Sequence, residues 1–257
     1  ARILIKVTFQ VDDADFITDR KLSVSQADYD LLGKRLERRK AHEPVTRILE
    51  QTQFWGLPFQ VTPDVLDPRP DTETVMEIAV SRFDADARIS ILDLGTGSGC
   101  LLVALLHQFQ NAEGVGIDVS DKALEVARNN ARLNGVERRA SFQKGNWAEG
   151  IQQSFDLIVS NPPYIDSPAI ANLDASVRKY DPILALDGGK DGFDCYKIIF
   201  SQIKNILKTD GTGLFEIGIG QAENTMRIVK DSGLSVKGVH PDIAGIPRVV
   251  EISFGEK

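Results

Sequence analysis

From residue 72 onward, short apolar runs alternate with longer segments in which apolar residues recur every three or four positions. A short run fits a buried strand, and the longer spacing fits one face of a helix. This alternation predicts an α/β fold with a doubly wound, largely parallel sheet covered by helices on both faces. The predicted strands span residues 89–93, 113–118, 138–143, 155–160, 212–217, 234–240 and 248–254, and the predicted helices span residues 73–83, 98–109, 120–134, 192–208 and 221–232. A short loop joins the last two strands, so we expect the last strand to be antiparallel to its neighbour.

Residues 1–50 are polar and helical, and we interpret them as a small amino-terminal helical domain. The segment Ser23-Val24-Ser25-Gln26 opens a predicted helix that runs through Asp28 to Arg39. Near its end lies a basic cluster formed by Lys34, Arg35, Arg38, Arg39 and Lys40. Such a cluster is typical of a solvated helix face whose cations complement the helix dipole. The alternative interpretation is a contact for an acidic or RNA-bearing partner.

Residues 51–72 predict a hairpin followed by a stiff linker. Residues 53–61 have the pattern of a short hairpin with Gly-Leu-Pro near its turn, and three prolines then extend the chain. The linker ends at a helix start for which Asp71 or Thr72 is the expected cap. The predicted organisation is therefore a helical domain at 1–50, a hairpin and linker at 51–72, and an α/β domain at 73–257.

Composition and charge narrow the class of protein. The 257 residues are 42% hydrophobic and 26% charged, as in ordinary globular proteins. The formal charge of −7 disfavours a general duplex-binding surface. Cys100 and Cys195 lie far apart without metal-ligand spacing, which favours the reducing cytoplasm and neither a metal site nor a disulfide framework. The sequence shows no secretory signal and no apolar stretch long enough to span a membrane. Because it starts at Ala1 without a methionine, we expect its natural amino terminus to be missing.

A glycine-rich loop follows the first strand of the α/β region. The run Ile91-Leu92-Asp93-Leu94 leads into Gly95-Thr96-Gly97-Ser98-Gly99, directly before a predicted helix. Glycine lets the backbone adopt positive φ and lets a ligand approach closely. In the spacing of dinucleotide enzymes the third glycine falls at residue 100, which is Cys100 here. The loop therefore predicts a nucleoside site rather than a pyrophosphate site, with Asp93 placed to hold loop amides or a ligand ammonium group.

The next two strand ends carry groups that suit the rest of a nucleoside. Asp118 ends its strand, where an acid can accept both ribose hydroxyls. After the third strand, Asn146 offers an amide and Trp147 an aromatic ring, which suit an adenine by hydrogen bond and stacking. Alone, Asp118 would fit a helix cap and Trp147 a core residue. Suitable groups at three consecutive strand ends favour the cofactor interpretation.

The segment Asn161-Pro162-Pro163-Tyr164 is the most specific signal in the chain. It follows the apolar run at 155–160, which its prolines terminate because they cannot donate hydrogen bonds to a sheet. Ligands of open α/β sheets bind along this edge. We expect the Asn161 oxygen and the Pro162 carbonyl to accept the two N–H bonds of a planar amino group, and the Tyr164 ring to cover one face of it. The alternative interpretation is that the Asn-Pro-Pro turn only terminates a strand and has no functional role.

These strand ends together resemble the S-adenosylmethionine-dependent methyltransferases, and the Asn161 segment resembles those that methylate base amines or glutamine amides. Further segments resemble the HemK/PrmC family of protein-glutamine methyltransferases, and the match covers nearly the whole chain. They are Arg39…Glu43-Pro44, Phe54-Trp55-Gly56-Leu57, Pro68-Arg69-Pro70-Asp71-Thr72-Glu73 and Asp242-Ile243-Ala244-Gly245…Arg248. The resemblance implies a Rossmann-like methyltransferase sheet, S-adenosylmethionine as cofactor, and a monomer in the cytoplasm. The implied substrate is the Gly-Gly-Gln loop of a peptide chain release factor, docked by residues 1–50, with no direct nucleic-acid or membrane partner.

The resemblance also implies roles for single residues. The expected catalytic residues are Asn161, Pro162 and Tyr164, and Pro163 completes the substrate pocket. The expected cofactor-binding residues are Asp93, Gly95, Thr96, Gly97, Ser98, Gly99, Asp118, Asn146, Trp147 and Asn161. The chain departs from the family's usual residues at four positions, namely Glu50 for glycine, Gln53 for glutamate, Asp67 for an apolar residue and Asn146 for an acid.

Three alternatives remain beside this prediction. An adenine amino-methyltransferase would use the same pocket on a flipped base, although the net charge disfavours nucleic acid. A ribosomal-protein glutamine methyltransferase would differ in its substrate alone. A cofactor-binding scaffold without catalysis would not need Asn161. The glycine spacing excludes an ordinary nicotinamide dehydrogenase.

Overall fold

The computed structural model describes residues 1–18 and 23–255. Its helices are α1 (Arg2–Phe9), α2 (Gln26–Lys40), α3 (Val45–Leu49), α4 (Glu73–Arg82), α5 (Cys100–Gln108), α6 (Asp121–Leu133), α7 (Ala175–Tyr180), α8 (Asp194–Ile203) and α9 (Ala222–Asp231). Its strands are β1 (Gln51–Phe54), β2 (Leu57–Gln60), β3 (Ser90–Leu94), β4 (Glu113–Asp118), β5 (Ala140–Lys144), β6 (Phe155–Ser160), β7 (Leu207–Glu216), β8 (Leu234–Pro241) and β9 (Pro247–Phe254). Single 3₁₀ turns lie at Ala14–Phe16, Pro70–Thr72, Ser167–Asn172 and Ile183–Ala185.

Among the described residues, a seven-stranded sheet forms the centre of the molecule, in the order β5-β4-β3-β6-β7-β9-β8. The strands from β3 to β7 are parallel, and β9 is antiparallel to both β7 and β8. Buried residues of α4 and α5 pack in one apolar cluster, and those of α8 pack in another, so both faces of the sheet are covered. The predicted α/β, doubly wound, Rossmann-like fold and its antiparallel last strand are confirmed.

The largest error in the predicted element bounds lies between α8 and β7. The sequence predicts a helix over 192–208 and a strand from 212, but α8 ends at Ile203 and β7 begins at Leu207. The Phe155 N–H donates to the Ile206 carbonyl at 2.8 Å, and Leu207 pairs with Phe155 before the register shifts. Pairing with β6 therefore overrides an apolar spacing that also fits a helix.

The segment between β6 and α8 contains structure that the sequence pattern does not reveal. It includes α7 and two 3₁₀ turns, at Ser167–Asn172 and Ile183–Ala185. Its backbone carbonyls and amides form hydrogen bonds within the turns or between the two ends of the segment. The bond from the Ile165 N–H to the Leu186 carbonyl, at 3.1 Å, is an example. Such short turns lack the long apolar period on which the predicted helices depend.

The hairpin has its tight turn at Trp55-Gly56, directly before Leu57 and Pro58, as the sequence predicts. The linker differs from the prediction in one detail. Thr72 does precede α4, but its side chain does not cap the helix. Its hydroxyl donates instead to the buried carboxylate of Glu216 at 2.6 Å.

Among the described residues, four of the five members of the basic cluster of α2 have internal partners. Arg35 donates to the Thr8 hydroxyl at 2.7 Å, and Lys40 pairs with Glu37 at 2.6 Å. Arg38 makes a two-point contact with Glu43, at 2.8 and 2.6 Å. Arg39 donates to the Glu43 carbonyl at 3.2 Å. These contacts favour a structural interpretation of the cluster, and its docking role stays a prediction.

A buried ion pair joins the helical region to the α/β domain. Arg47 of α3 and Asp181, which follows α7, are 2.6 Å apart, and both side chains are 3% exposed. The Arg47 guanidinium also donates to the carbonyls of Thr62 and Val65 in the linker. The second oxygen of Asp181 accepts from Arg69 at 2.6 Å. One aspartate therefore ties the helical region, the linker and the segment after β6 together.

We predict that Arg47→Met lowers the free energy of unfolding by about 3–5 kcal/mol, because it removes one partner of a buried, hydrogen-bonded ion pair. Urea denaturation measures the change. Arg2→Met is the control, since Arg2 and Asp13 form an exposed pair that contributes little. Equal stability of Arg47→Met and the parent protein would show that the pair does not hold the domains together.

Candidate active site

The ends of the parallel strands open onto a cavity of about 420 Å³. Most of the predicted site residues line it, namely Asp93, Gly95, Thr96, Gly97, Ser98, Asp118, Asn146, Trp147, Asn161 and Pro163. Gly99, Pro162 and Tyr164 do not line it. Two segments that the sequence did not assign to the site also line it, the linker at 63–69 and the loop at 182–187.

The glycine loop has the backbone that its sequence predicts. Gly95, Gly97 and Gly99 all have positive φ, at 70°, 54° and 78°. A Cβ on Gly95 would lie 3.1 Å from the Trp147 ring, and a Cβ on Gly99 would lie 3.1 Å from the Cβ of Ala127 on α6. The loop is therefore held between the tryptophan and α6, with its backbone exposed to the cavity at Gly97.

Asp118 at the end of β4 is held by two backbone amides. Its carboxylate accepts from the Gly97 N–H and the Ser120 N–H, each at 2.9 Å. Burial raises the pKa of Asp118, and the two amide bonds act in the opposite direction. Each carboxylate oxygen has a second lone pair, so the group is placed to accept hydroxyl protons at the cavity wall.

Asp93 lies deeper, as the penultimate residue of β3. It is 1% exposed, and its Oδ2 accepts from the Thr96 hydroxyl at 2.6 Å. Burial raises the pKa of Asp93 to about 7, opposed by the Thr96 hydrogen bond and increased by the charge of Asp118. A cation in the cavity would stabilise the ionised form of Asp93.

Asn146 and Trp147, in the loop after β5, differ in exposure. Asn146 is exposed at the cavity rim, whereas Trp147 is half-buried, with φ of 56°, and its ring also packs against the apolar cluster of α8. The Trp147 ring therefore serves as a core residue and also keeps the face that is predicted to stack on an adenine.

Asn161, directly after β6, has its carboxamide fixed from one end. Its Nδ2 donates to the Thr72 hydroxyl oxygen at 3.0 Å, and Thr72 donates in turn to Glu216 Oε2 at 2.6 Å. Thr72 and Glu216 are 2% and 1% exposed. Sequence reasoning assigned neither of them to the site. Two signals could have identified them. Thr72 is a predicted helix cap, and Glu216 is an acid at the end of a strand, as Asp118 is.

Tyr164 is turned toward the same carboxylate. Its hydroxyl donates to Glu216 Oε1 at 3.3 Å, and its backbone carbonyl accepts from the Gln221 side chain at 2.8 Å. Burial, together with the Glu216 charge, raises the pKa of the Tyr164 hydroxyl. The ring packs against the apolar cluster of α8 rather than on the cavity wall. A catalytic role for Tyr164 stays a prediction.

Comparison with known proteins places this site in a family. A family model described as a methyltransferase domain matches residues 85–233. A release factor glutamine methyltransferase of Bradyrhizobium diazoefficiens is 43% identical over 254 residues, which cover 97% of this chain and 86% of the relative. A release factor glutamine methyltransferase of Caulobacter vibrioides is 38% identical over 97% of this chain and 87% of its own length. The chain belongs to the release factor glutamine methyltransferase family.

A solved structure supports the fold of this family member. The crystal structure of a methyltransferase from Pyrococcus furiosus superposes with a TM-score of 0.58 and 18% identity, over 87% of this chain and 98% of that chain. At this identity the likeness shows the fold alone. The sheet thus has the fold of that methyltransferase. Within the described residues, no helix is long and apolar enough to cross a membrane.

In this family member, three glycines from two segments hold the Asn161–Tyr164 loop. A Cβ on Gly188 would lie 2.8 Å from both the Pro163 carbonyl oxygen and the Tyr164 Cα. A Cβ on Gly192 would lie 2.5 Å from the Tyr164 carbonyl oxygen, and one on Gly218 would lie 3.0 Å from the Tyr164 ring. The loop is packed against backbone at Gly188 and Gly192, which leaves no room for a side chain there, whereas the neighbours of Gly218 are side chains.

Asn130 of α6 joins the hairpin to the glycine loop of this family member. It is fully buried, and its carboxamide exchanges two hydrogen bonds with the Gln60 backbone, at 2.7 and 3.0 Å. Its Nδ2 also donates to the Ser98 carbonyl at 2.8 Å. The sequence offers no local signal for this contact, because Asn130 lies within an ordinary amphipathic helix.

We predict that Gly188→Ala lowers the free energy of unfolding by about 1–3 kcal/mol, because the added methyl meets backbone atoms that cannot rotate away. Gly33→Ala is the control. Gly33 is exposed inside α2 with no atom within 4 Å of an added Cβ, so alanine is expected to be neutral or slightly stabilising. Urea denaturation of both variants decides the matter, and equal stabilities would mean that the loop tolerates displacement.

Proposed function

We propose that this chain transfers a methyl group from S-adenosylmethionine to the side-chain amide nitrogen of a glutamine in a peptide chain release factor, within its Gly-Gly-Gln loop. The observation that carries the proposal is the fixed carboxamide of Asn161 beside a cavity that contains two carboxylates. With Nδ2 bonded to Thr72, Oδ1 is the end of Asn161 that is available as an acceptor. A primary amide presents two N–H donors, and an acceptor is what such a substrate requires.

The cavity fits the proposed cofactor. A volume of about 420 Å³ is within the usual range of small-molecule sites. Asp118 is placed to accept the ribose hydroxyls, and Asn146 with Trp147 to hold the adenine. Asp93 is placed to pair with the ammonium group, beside a glycine loop without side chains to block it. When bound, S-adenosylmethionine supplies a methyl group activated by its sulfonium.

The loop Asn161–Tyr164, called here the acceptor loop, then prepares the amide nitrogen of the substrate glutamine for reaction. An amide nitrogen is a poor nucleophile because its lone pair is delocalised into the carbonyl. Asn161 Oδ1 and the Pro162 carbonyl accept its two N–H bonds, which holds the nitrogen in one orientation. Orientation of this kind contributes up to about 7–11 kcal/mol in well-aligned intramolecular reactions. Pro162 is buried and offers no competing donor, and Tyr164 closes the side of the loop that faces Glu216, to which its hydroxyl donates.

The proposed function predicts that Asn161→Ala loses methylation while S-adenosylmethionine still binds, because the carboxamide orients the acceptor. Purified protein, labelled S-adenosylmethionine and a release factor are incubated, and mass spectrometry locates the labelled residue. Asn224→Ala, at an exposed position of α9, is the matched control and should methylate normally. Label on the glutamine of the Gly-Gly-Gln loop supports the proposal. Label on nucleic acid or on a ribosomal protein instead of the release factor contradicts it.

The electrostatics of Asp93 predict a pH-dependent affinity for the cofactor. With its pKa raised to about 7, Asp93 is largely neutral at lower pH and must lose a proton to pair with an ammonium group. S-adenosylmethionine binding should therefore weaken by about tenfold for each pH unit below 7, and binding should release a proton. Calorimetry across pH in buffers of different ionisation enthalpy measures both effects. Asp93→Asn should bind more weakly at neutral pH and lose most of the pH dependence. An affinity of the parent protein that is constant across this range would refute the assigned role.

A further inference from the structure

Asn161 is connected to a buried acid through one hydroxyl. Its Nδ2 donates to Thr72 Oγ1 at 3.0 Å, and Thr72 donates to Glu216 Oε2 at 2.6 Å. The other oxygen of Glu216 accepts from the Tyr164 hydroxyl at 3.3 Å. These three bonds join the linker, β6 and β7 across 89 and 144 residues of sequence. The mechanism described so far uses Asn161 and its bond to Thr72 but gives no role to Glu216.

We propose that Thr72 and Glu216 are positioning residues that set the direction of the Asn161 carboxamide, so that its oxygen and not its NH₂ group faces the substrate amide. The inference rests on the proposed function, because it assumes an acceptor that presents N–H groups. Neither residue is required to touch the substrate. Their role is to select one of two orientations that have nearly the same shape.

The argument follows from counting donors and acceptors. A carboxylate can only accept hydrogen bonds, and a hydroxyl has one proton. When Glu216 is ionised, the Thr72 proton is committed to it, so Thr72 Oγ1 can only accept from a third group. The NH₂ end of Asn161 satisfies that demand. The reversed carboxamide would place two lone pairs against each other in a buried position, which is costly.

The reversed orientation would also invert recognition. Asn161 would then present N–H groups toward the N–H groups of a glutamine, and the substrate amide would lose an acceptor. Asn161 and the Pro162 carbonyl could no longer hold the nitrogen as a pair. A single hydroxyl inside the linker therefore decides whether the acceptor loop accepts or repels its substrate.

The charge state of Glu216 adds a pH dependence to this geometry. Burial raises its pKa to about 7, while the Thr72 hydrogen bond and the charge of Arg248 lower it and Asp71 raises it. The other groups that face it are Tyr164, Tyr196 on α8 and Cys100 on α5. Arg248 is itself held by Asp71 at 3.0 Å and by Asp242 at 3.2 Å. Below its pKa, Glu216 carries a proton and can donate to Thr72, which frees the Thr72 proton for Asn161 Oδ1 and reverses the carboxamide. The relay, which is the hydrogen-bonded chain from Glu216 through Thr72 to Asn161, therefore favours the active orientation of the carboxamide above about pH 7. This preference is lost as pH falls.

The kinetic test uses release factor and saturating S-adenosylmethionine, so that kcat reports the bound complex. Thr72→Val keeps the shape but removes the hydroxyl, and kcat should fall by about 100-fold with cofactor affinity unchanged. Thr72→Ser restores the hydroxyl and should recover most of the rate. Glu216→Gln still accepts from Thr72 but does not titrate, so it should lose the acidic limb of the kcat profile. The control is Thr225→Val, because Thr225 is fully buried on α9 and its hydroxyl has no hydrogen-bond partner among the described residues.

A second measurement tests the relay without any substrate. The side-chain amide resonances of Asn161, assigned by their loss in Asn161→Asp, should titrate with a midpoint near pH 7 in the parent protein. They should not titrate in Glu216→Gln or Thr72→Val. Unmoved resonances in the parent protein, or a kcat of Thr72→Val equal to that of the Thr225→Val control, would overturn the relay. If the parent protein does not methylate the release factor, the proposed function fails, and the resonances still decide whether the relay exists.

Discussion

Parallel strands that end at one edge of a sheet determine where each group of the site lies. In sheet order, β4 ends at Asp118, β3 ends one residue after Asp93, β6 ends directly before Asn161, and β7 ends at Glu216. Neighbouring strands are about 4.8 Å apart, so these four positions span about 14 Å along the edge. The proposed ribose, ammonium, acceptor and relay positions follow one another in that order. The spacing of the sheet thus sets the distance between cofactor and acceptor before any side chain is chosen.

The open side of this edge is closed by segments from elsewhere in the chain. The linker at 63–69 and the loop at 182–187 both line the cavity, and Asp181 joins them through Arg69 and Arg47. Because Arg47 belongs to α3, the helical region contributes to the geometry of the cofactor cavity without lining it. The helical region therefore supports the structure of the site, in addition to its proposed role in docking the protein substrate.

The strand ends could be predicted from sequence because each is marked locally. An apolar run stops at a glycine loop, an acid or a pair of prolines, and such signals need no knowledge of the rest of the chain. Contacts between distant residues have no such signal. Thr72 satisfies the local rule for a helix cap, but a buried carboxylate 144 residues away binds its hydroxyl. Leu207 continues the apolar spacing of the preceding helix, but it belongs to a strand because its backbone pairs with Phe155 of β6. Glu50 stands where the resemblance predicts a glycine, and it adopts the left-handed conformation, with φ of 55°, because the turn from α3 into the hairpin requires it.

The linker from Pro63 to Thr72 serves two sites with one stretch of backbone. Its first part forms a wall of the cofactor cavity, and its last residue fixes the carboxamide of the acceptor loop. A ligand that orders this backbone would lower the cost of ordering it for the second ligand. Thermodynamic linkage would make that effect reciprocal, so the proposed cofactor and protein substrate would be heterotropic effectors of each other, coupled through the segment from Pro63 to Thr72.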